Sequence, residues 1–578
     1  MRRTTRTAEE LRALAAVARG DAPADLFLEG GRVLNVFSGE VLEAHVAVAG
    51  GRIAYVGARR DAVGAQTRIV PAHGRILVPG YIDPHAHPGF CNPVALAEAV
   101  LPLGTTAMVM DTLALLLHGR EDRLPDLLAA LSSLPLHFYW FLRLHGQGHE
   151  DRERELFAPE RLRRLLQLES VRAVGELTRW PALYAGDPAI VEGVATGLAE
   201  GRRVEGHAPG VSAERLQVLA AAGVSSDHEA VTAEEALHRL RAGLYVMLRH
   251  SSIRRDLPQL ASIVTAARAF SGRLMLTPDG PSPVFIEEEG YVDHLIHTAI
   301  ESGVPPVAAY QMATINPAAY YSLDEEIGGI APGRMADINV ISDLRRPRPE
   351  IVIAVGQIAA EAGRLTAVFP QPDWPSYLIP VYAQTWRPAP DLFRAPQGEA
   401  VPAMHLENEV ITRRREVRSA GGTLPPGILQ IALLDPAGGW VARGLLSGFA
   451  ERLDGLASTF SIARGVTVIG TAPQAMATAA QRVLELGGGV ALAEGERMLF
   501  DFALPLAGMM SPESFPRVVA AVRSLTALLR ERGYPYGDVL YTLLFLSFDS
   551  LPDLRLTSRG LWDVKAQRVL IPREELQG

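Results

Sequence analysis

Two histidines two residues apart, His85 and His87, close an apolar run that starts at Ile76 and reads Ile-Leu-Val-Pro-Gly-Tyr-Ile-Asp-Pro-His-Ala-His. Side chains at i and i+2 of a strand share a face, so both imidazoles can reach one metal ion. Four further candidates follow: Glu176 in Val-Gly-Glu-Leu-Thr, His207 in Glu-Gly-His-Ala-Pro-Gly, His228 in Ser-Asp-His-Glu and Asp279 in Leu-Thr-Pro-Asp-Gly. Each sits at the end of a short apolar stretch. Four imidazoles and two carboxylates suit a pair of divalent first-row ions, whose chemistry is to make hydroxide from water near neutral pH. The only lysine is Lys565. A carboxylated lysine therefore cannot bridge two ions near these histidines. Glu176 is the expected bridge, its rival role being an ion pair with Arg179.

The elements that must hold these groups are legible in outline. Eight short apolar stretches, at 76–78, 107–110, 138–142, 173–175, 203–206, 224–227, 245–248 and 274–277, alternate with helix-patterned segments such as 187–200, 213–222, 233–242 and 292–302. Such alternation over about 250 residues predicts an α/β fold, a (β/α)8 barrel, with its chemistry at the C-terminal ends of the strands. The six candidates fall at those ends. A helix over 8–19 precedes a stretch, 25–71, of apolar segments broken by Gly-Gly and Ser-Gly turns. The same β-type pattern returns at 330–341 and 351–363. The expected layout is a composite β-sandwich domain from 1–75 and 329–369, a metal-dependent hydrolase barrel at 76–328, a proline-rich linker at 370–402 and an additional C-terminal α/β domain at 403–578.

Composition narrows the partners. A net charge of -9 over 578 residues gives no basic field, which argues against a stable nucleic-acid complex and leaves a small molecule as the expected partner. One cysteine, Cys91, excludes an intramolecular disulfide or a cysteine-rich zinc module and fits a reducing cytoplasm, where the thiol would serve packing. The basic start, Met1-Arg2-Arg3-Thr4-Thr5, has no apolar segment behind it, and no run is long enough to span a bilayer. A cytoplasmic location is expected; the sequence leaves the oligomeric state open, with a homodimer or higher homo-oligomer as one option in which the third domain could cover a partner's barrel mouth. His118, His137, His145 and His149 share no strand-end position and are expected at the surface or in loops.

The strings Val78-Pro-Gly-Tyr-Ile-Asp-Pro-His-Ala-His, Glu205-Gly-His-Ala-Pro-Gly, Ser226-Asp-His-Glu-Ala-Val-Thr and Gln311-Met-Ala-Thr-Ile-Asn-Pro-Ala together resemble the bacterial adenine deaminases of the amidohydrolase superfamily. The resemblance extends over essentially the whole chain, including Val468-Ile-Gly-Thr-Ala-Pro-Gln-Ala-Met and Pro505-Leu-Ala-Gly-Met-Met-Ser. It implies that His85, His87, Glu176, His207, His228 and Asp279 bind two divalent metal ions, manganese, with iron and zinc as alternatives. The implied reaction is attack of hydroxide on carbon 6 of a purine base, giving hypoxanthine and an amine. Asp279 is the expected proton shuttle. Glu229, His250 and Arg249 are the candidates to protonate ring nitrogen 1, with Glu229 alternatively a helix-start carboxylate facing away from His228. Arg179 and Trp180 could meet the purine, although a tryptophan is more often core.

Three polar clusters of that family are exchanged here. Ile-Glu-Ser-Ser is replaced by Pro88-Gly-Phe-Cys, Asp-Pro-His-Glu by Asp111-Thr-Leu-Ala-Leu, and His-Asp-Ser-His-Asn by a segment around Ala463-Arg-Gly-Val. The replacements are similar to a narrower subgroup acting on N-6-methyladenine, on Tyr139-Trp140-Phe, Gly175-Glu-Leu-Thr-Arg-Trp-Pro and Leu248-Arg-His-Ser-Ser-Ile-Arg. The rival expectation is hydrolysis of a cyclic amide or N-acyl amino acid, with Arg143, Arg249 or Arg254 clamping a substrate carboxylate.

Overall fold

In a computed structural model that describes residues 6–418 and 424–576, eight strands form one parallel sheet. The basic start Met1–Thr5 lies outside the described residues. The strands are Tyr81–Ala86, Thr105–Asp111, His137–Leu142, Val171–Leu177, Arg203–Gly206, Ser226–Asp227, Tyr245–Arg249 and Leu274–Thr277, each hydrogen-bonded to the next. The first and last meet through the Thr277 hydroxyl, 2.9 Å from the Asp83 carboxylate and 3.0 Å from the His85 carbonyl. Inward side chains Ile82, Val109, Phe141, Ala173, Met247 and Met275 pack together as a filled barrel core. The alternation of apolar strands with helices thus yields the expected barrel, nearly closed.

One strand differs from the sequence expectation. Ile76–Pro79 is not in the barrel; it pairs antiparallel with Ile338–Ile341 and parallel with Leu26–Asn35 in a nine-stranded sheet built from chain on both sides of the barrel. The apolar run is continuous, but Gly80 divides it. A Cβ there would lie 2.1 Å from the Thr106 hydroxyl, so only glycine lets the chain pass between the two sheets. The first barrel strand therefore starts at Tyr81, which leaves His85 on it and His87 just beyond.

The segment 370–402 is packed down along much of its length. Trp374, Tyr382 and Phe393 are buried, and the Ile379 amide donates to the His118 carbonyl at 2.8 Å. His118 is buried at the end of the helix Leu113–His118 and His137 starts a barrel strand, where it bonds Asp337 at 2.9 Å, both against the expectation of surface or loop positions; His145 and His149 lie in a loop as expected, His145 being buried there. The C-terminal region is rich in strands. A second nine-stranded sheet is covered by the helix Pro473–Glu485, and a three-stranded sheet spans Leu554 to Pro572. It sits over the barrel mouth of its own chain. Among the described residues no helix is long and apolar enough to cross a membrane.

Behind the mouth lies an ion pair that burial makes demanding. Arg239, 2% exposed, bonds through Nε to Asp227, which is 1% exposed, and donates to the Ala208 carbonyl at 2.9 Å. Asp227 accepts the amides of Ala208 and Glu229 at 2.8 and 2.9 Å, so one carboxylate ties the segments that follow His207 and His228. Arg239→Met should strand that charge at a cost of about 3–5 kcal/mol, seen as a lower thermal unfolding midpoint with both histidines intact.

Candidate metal centre

All six sequence candidates converge at the C-terminal ends of the strands. His85 Nε2 and His87 Nε2 are 3.2 Å apart, and Asp279 Oδ1 lies 3.6 and 3.2 Å from them. On the other side, His207 Nδ1 and His228 Nε2 are 3.0 Å apart. Glu176 spans the gap: Oε1 contacts His207 and lies 3.5 Å from His228, while Oε2 is 4.0 Å from both His85 and His87. Donor atoms bonded at about 2.1 Å to one ion lie about 3.0–3.5 Å apart, so the spacing here is that of ligands round shared ions. The donors form groups that could each hold an ion, His85 with His87 and Asp279, His85 with Glu176 and His228, and His207 with His228 and Glu229. The residues present fit divalent metal.

The backbone explains why these types occupy these positions. Gly175, before Glu176, has φ +121°, and a Cβ there would lie 2.5 Å from the Glu205 carbonyl. Glycine is required for Glu176 to enter the mouth. Asp279 has φ +52°, a left-handed conformation that a short polar residue tolerates best among non-glycines. Its Oδ2 bonds Arg249.

Groups behind the candidate donors fix their direction. Glu205 bonds His85 Nδ1 at 2.7 Å and receives the Tyr321 hydroxyl at 2.6 Å, which leaves His85 Nε2 turned to the centre. Asp111 does the same for His87 Nδ1 at 3.0 Å, and is gripped by Arg143 Nε and Nη2 at 2.8 and 2.6 Å. Arg143 also reaches Glu176 Oε2 at 2.6 Å. Burial alone would raise Glu176 and Asp279, but Arg143 and His207 on one, and Arg249 on the other, hold both well below the usual carboxylate range. Burial, aided by His87, lowers His85 to about 4 and keeps its ring neutral. Ionised carboxylates and a neutral imidazole are the forms that bind metal, whereas against the effect of burial Asp111 and Asp279 raise His87 to about 10 and Glu176 raises His207 to about 9, so an ion there would displace a proton from each.

Above the donors opens a cavity of about 370 Å³. Glu229 lines it, contrary to the alternative of a helix-start carboxylate facing away. Its Oε1 is 3.6 Å from both His207 and His228 and 2.7 Å from Arg249, and its Oε2 is 2.8 Å from Arg254. Thr232 caps the next helix instead. Three candidates do not line the cavity. Arg179 turns away to Glu153 at 2.6 Å and Asp549 at 2.7 Å, Trp180 begins a short helix packed on the core, and His250 stacks near His294 and Phe285. Cys91 is buried, with its thiol pushed up by burial.

Sequence reasoning missed the far wall. Phe460, Ile462, Met509, Leu540, Tyr541 and Phe545, all C-terminal, face the cavity. No periodicity announces them, because their partner surface is a barrel mouth hundreds of residues earlier. Glu205 and Asp111 carried a weak signal, since both lie at ends of barrel strands.

Comparison with known proteins agrees with this construction. Residues 76–362 match the amidohydrolase family and residues 405–568 match the adenine deaminase C-terminal domain. A Halalkalibacterium halodurans protein is 34% identical over 98% of both chains. The adenine deaminase of Moorella thermoacetica is 33% identical over 96% of this chain and 97% of its own length. The chain belongs to the adenine deaminase family. That of Cenarchaeum symbiosum is 32% identical over 97% of this chain and 94% of its own. In this family member the orienting contact on His85 is directly testable. Glu205→Gln should weaken metal binding about 10- to 100-fold, read by competition against a chromogenic chelator.

Proposed function

We propose that this protein hydrolyses a 6-aminopurine base, adenine or N-6-methyladenine, to hypoxanthine with release of ammonia or methylamine. The reading is carried by six metal-binding side chains at the foot of a largely apolar cavity, in a chain of the adenine deaminase family. His85, His87, Glu176, His207, His228 and Asp279 would hold two divalent ions, manganese or alternatively iron or zinc, with Glu176 between them. Ions there would acidify water for attack on carbon 6.

The protein's own groups handle the protons and the ring. Asp279, kept ionised by Arg249, accepts the proton of the attacking water and passes it to the departing amine. Glu229 lies on the cavity wall beside both His207 and His228; it takes the other proton of the attacking water and delivers it to ring nitrogen 1, which gives the ring electrons a destination. Arg249 contacts both carboxylates and keeps them aligned. Leu113, Phe460, Ile462 and Phe548 offer apolar walls to a flat ring.

Tolerance of a methyl group is supported by where the exchanged residues lie. Pro88, Gly89 and Phe90 line the cavity, as do Leu113 and Ala114, and Ala463 follows the lining residue Ile462. Polar side chains in those segments would crowd and hydrate the space that an amine substituent needs. Hydrolysis of a carboxylate-bearing cyclic amide is less well served. Arg143, Arg249 and Arg254 are each already bonded to carboxylates of the protein.

The manganese-loaded protein should release ammonia from adenine and methylamine from N-6-methyladenine at rates far above a His85→Ala control. Ammonia without methylamine would confine the reading to adenine, and neither amine from metal-loaded protein would refute it. Glu229→Gln should lower kcat by about 10²- to 10⁴-fold with the metal content unchanged.

A further inference from the structure

The loop that carries Asp279 is braced from the second domain. Asp279 at φ +52° is followed by Gly280 at φ +69°, and two left-handed residues in succession turn their carbonyls out of the barrel. Both carbonyls are met by one hydroxyl: Tyr541 Oη lies 2.9 Å from the Asp279 oxygen and 2.8 Å from that of Gly280. Tyr541 comes from the short helix Val539–Phe545, far along the chain. That helix is itself fixed at both ends. Asp538 accepts the amides of Leu540 and Tyr541 at 3.0 and 3.3 Å, and the buried Arg555 donates to the carbonyls of Phe545 at 3.1 Å, Leu551 at 2.9 Å and Val410 at 2.7 Å.

We infer that Tyr541 is a positioning residue for Asp279, so that the C-terminal domain completes the active site as well as roofing it. Arg249 fixes the Asp279 side chain, but nothing in a side-chain ion pair holds the backbone in the left-handed region. A proton acceptor must keep its distance from donor and leaving group within a fraction of an ångström, and a phenol on the adjoining carbonyls supplies that constraint. The Tyr541 ring also lines the cavity, so its removal must be separated from loss of its hydroxyl. This inference rests on Asp279 as the proton acceptor of the proposed reaction.

The test is Tyr541→Phe in the full-length, metal-loaded protein, beside Tyr534→Phe as a control. Tyr534 donates to the Asp538 carbonyl at 3.0 Å and lies 2.7 Å from Thr542, so its hydroxyl supports the same helix without touching Asp279. For Tyr541→Phe, kcat on adenine should fall about 10- to 100-fold while KM stays within about threefold. Hydrogen–deuterium exchange should quicken in the peptide spanning Asp279 to Ser282 and stay slow in the barrel strands. Tyr534→Phe should show neither change. Unchanged kcat, unchanged exchange in that peptide, or equal effects in both variants would overturn the inference. If the wild type turns over neither adenine nor N-6-methyladenine, the proposed reaction falls by itself, and the exchange result alone decides whether Tyr541 braces the loop.

Discussion

The barrel mouth depends on Arg143. Asp111 and Glu176 are buried carboxylates that would repel each other and refuse ionisation in so dry a place, and one guanidinium, 1% exposed, bonds both. Asp111 then orients His87, and Glu176 spans the histidine pairs. Remove the cation and both consequences fail together. The same solution recurs with Arg239 on Asp227 and Arg249 on Asp279 and Glu229. A planar, permanently charged fork suits such places, where an ammonium would tend to lose its proton. Of 56 basic residues in the chain, only Lys565 is a lysine.

Burying this crowd of charge has a purpose that the apolar roof makes clear. Electrostatic interactions strengthen as water is excluded, so charges that would be screened at a surface act strongly on one another under Phe460, Ile462 and Phe545. The second domain supplies that exclusion. Arg179 helps to hold it down, joining Glu153, in the short helix Glu153–Leu156 after the third barrel strand, to Asp549 of the C-terminal region.

How far the sequence could be read follows from the range of each interaction. The convergence of the six candidates was legible because a barrel repeats its geometry, so strand-end residues in chain order announce a common centre. The strand at Ile76 was misplaced because an apolar run does not reveal the close approach at Gly80 that splits it between two sheets. For Glu229, strand parity left two readings, a proton donor to the ring and a helix-start carboxylate facing away. The strand ends at Asp227, whose carboxylate accepts the Glu229 amide and turns the chain, so parity no longer applies. Arg179 and Trp180 sat close to Glu176 in sequence, yet Arg179 is drawn away by Glu153 and by Asp549, the latter 370 residues away. The roof was invisible for the same reason.

The nine-stranded sheet has a consequence for how the chain is made. Its strands at Leu26–Asn35 and Ile76–Pro79 leave the ribosome early, but the strand that covers the edge of Ile76–Pro79, Ile338–Ile341, follows only after the entire barrel. At translation rates of about 5–20 residues per second the open edge waits on the order of ten seconds or more. An unpaired strand edge of apolar sequence is a template for association with other chains. The nascent protein therefore passes through a half-built sheet whose protection is temporal, and slow or stalled synthesis within the barrel would lengthen that exposure.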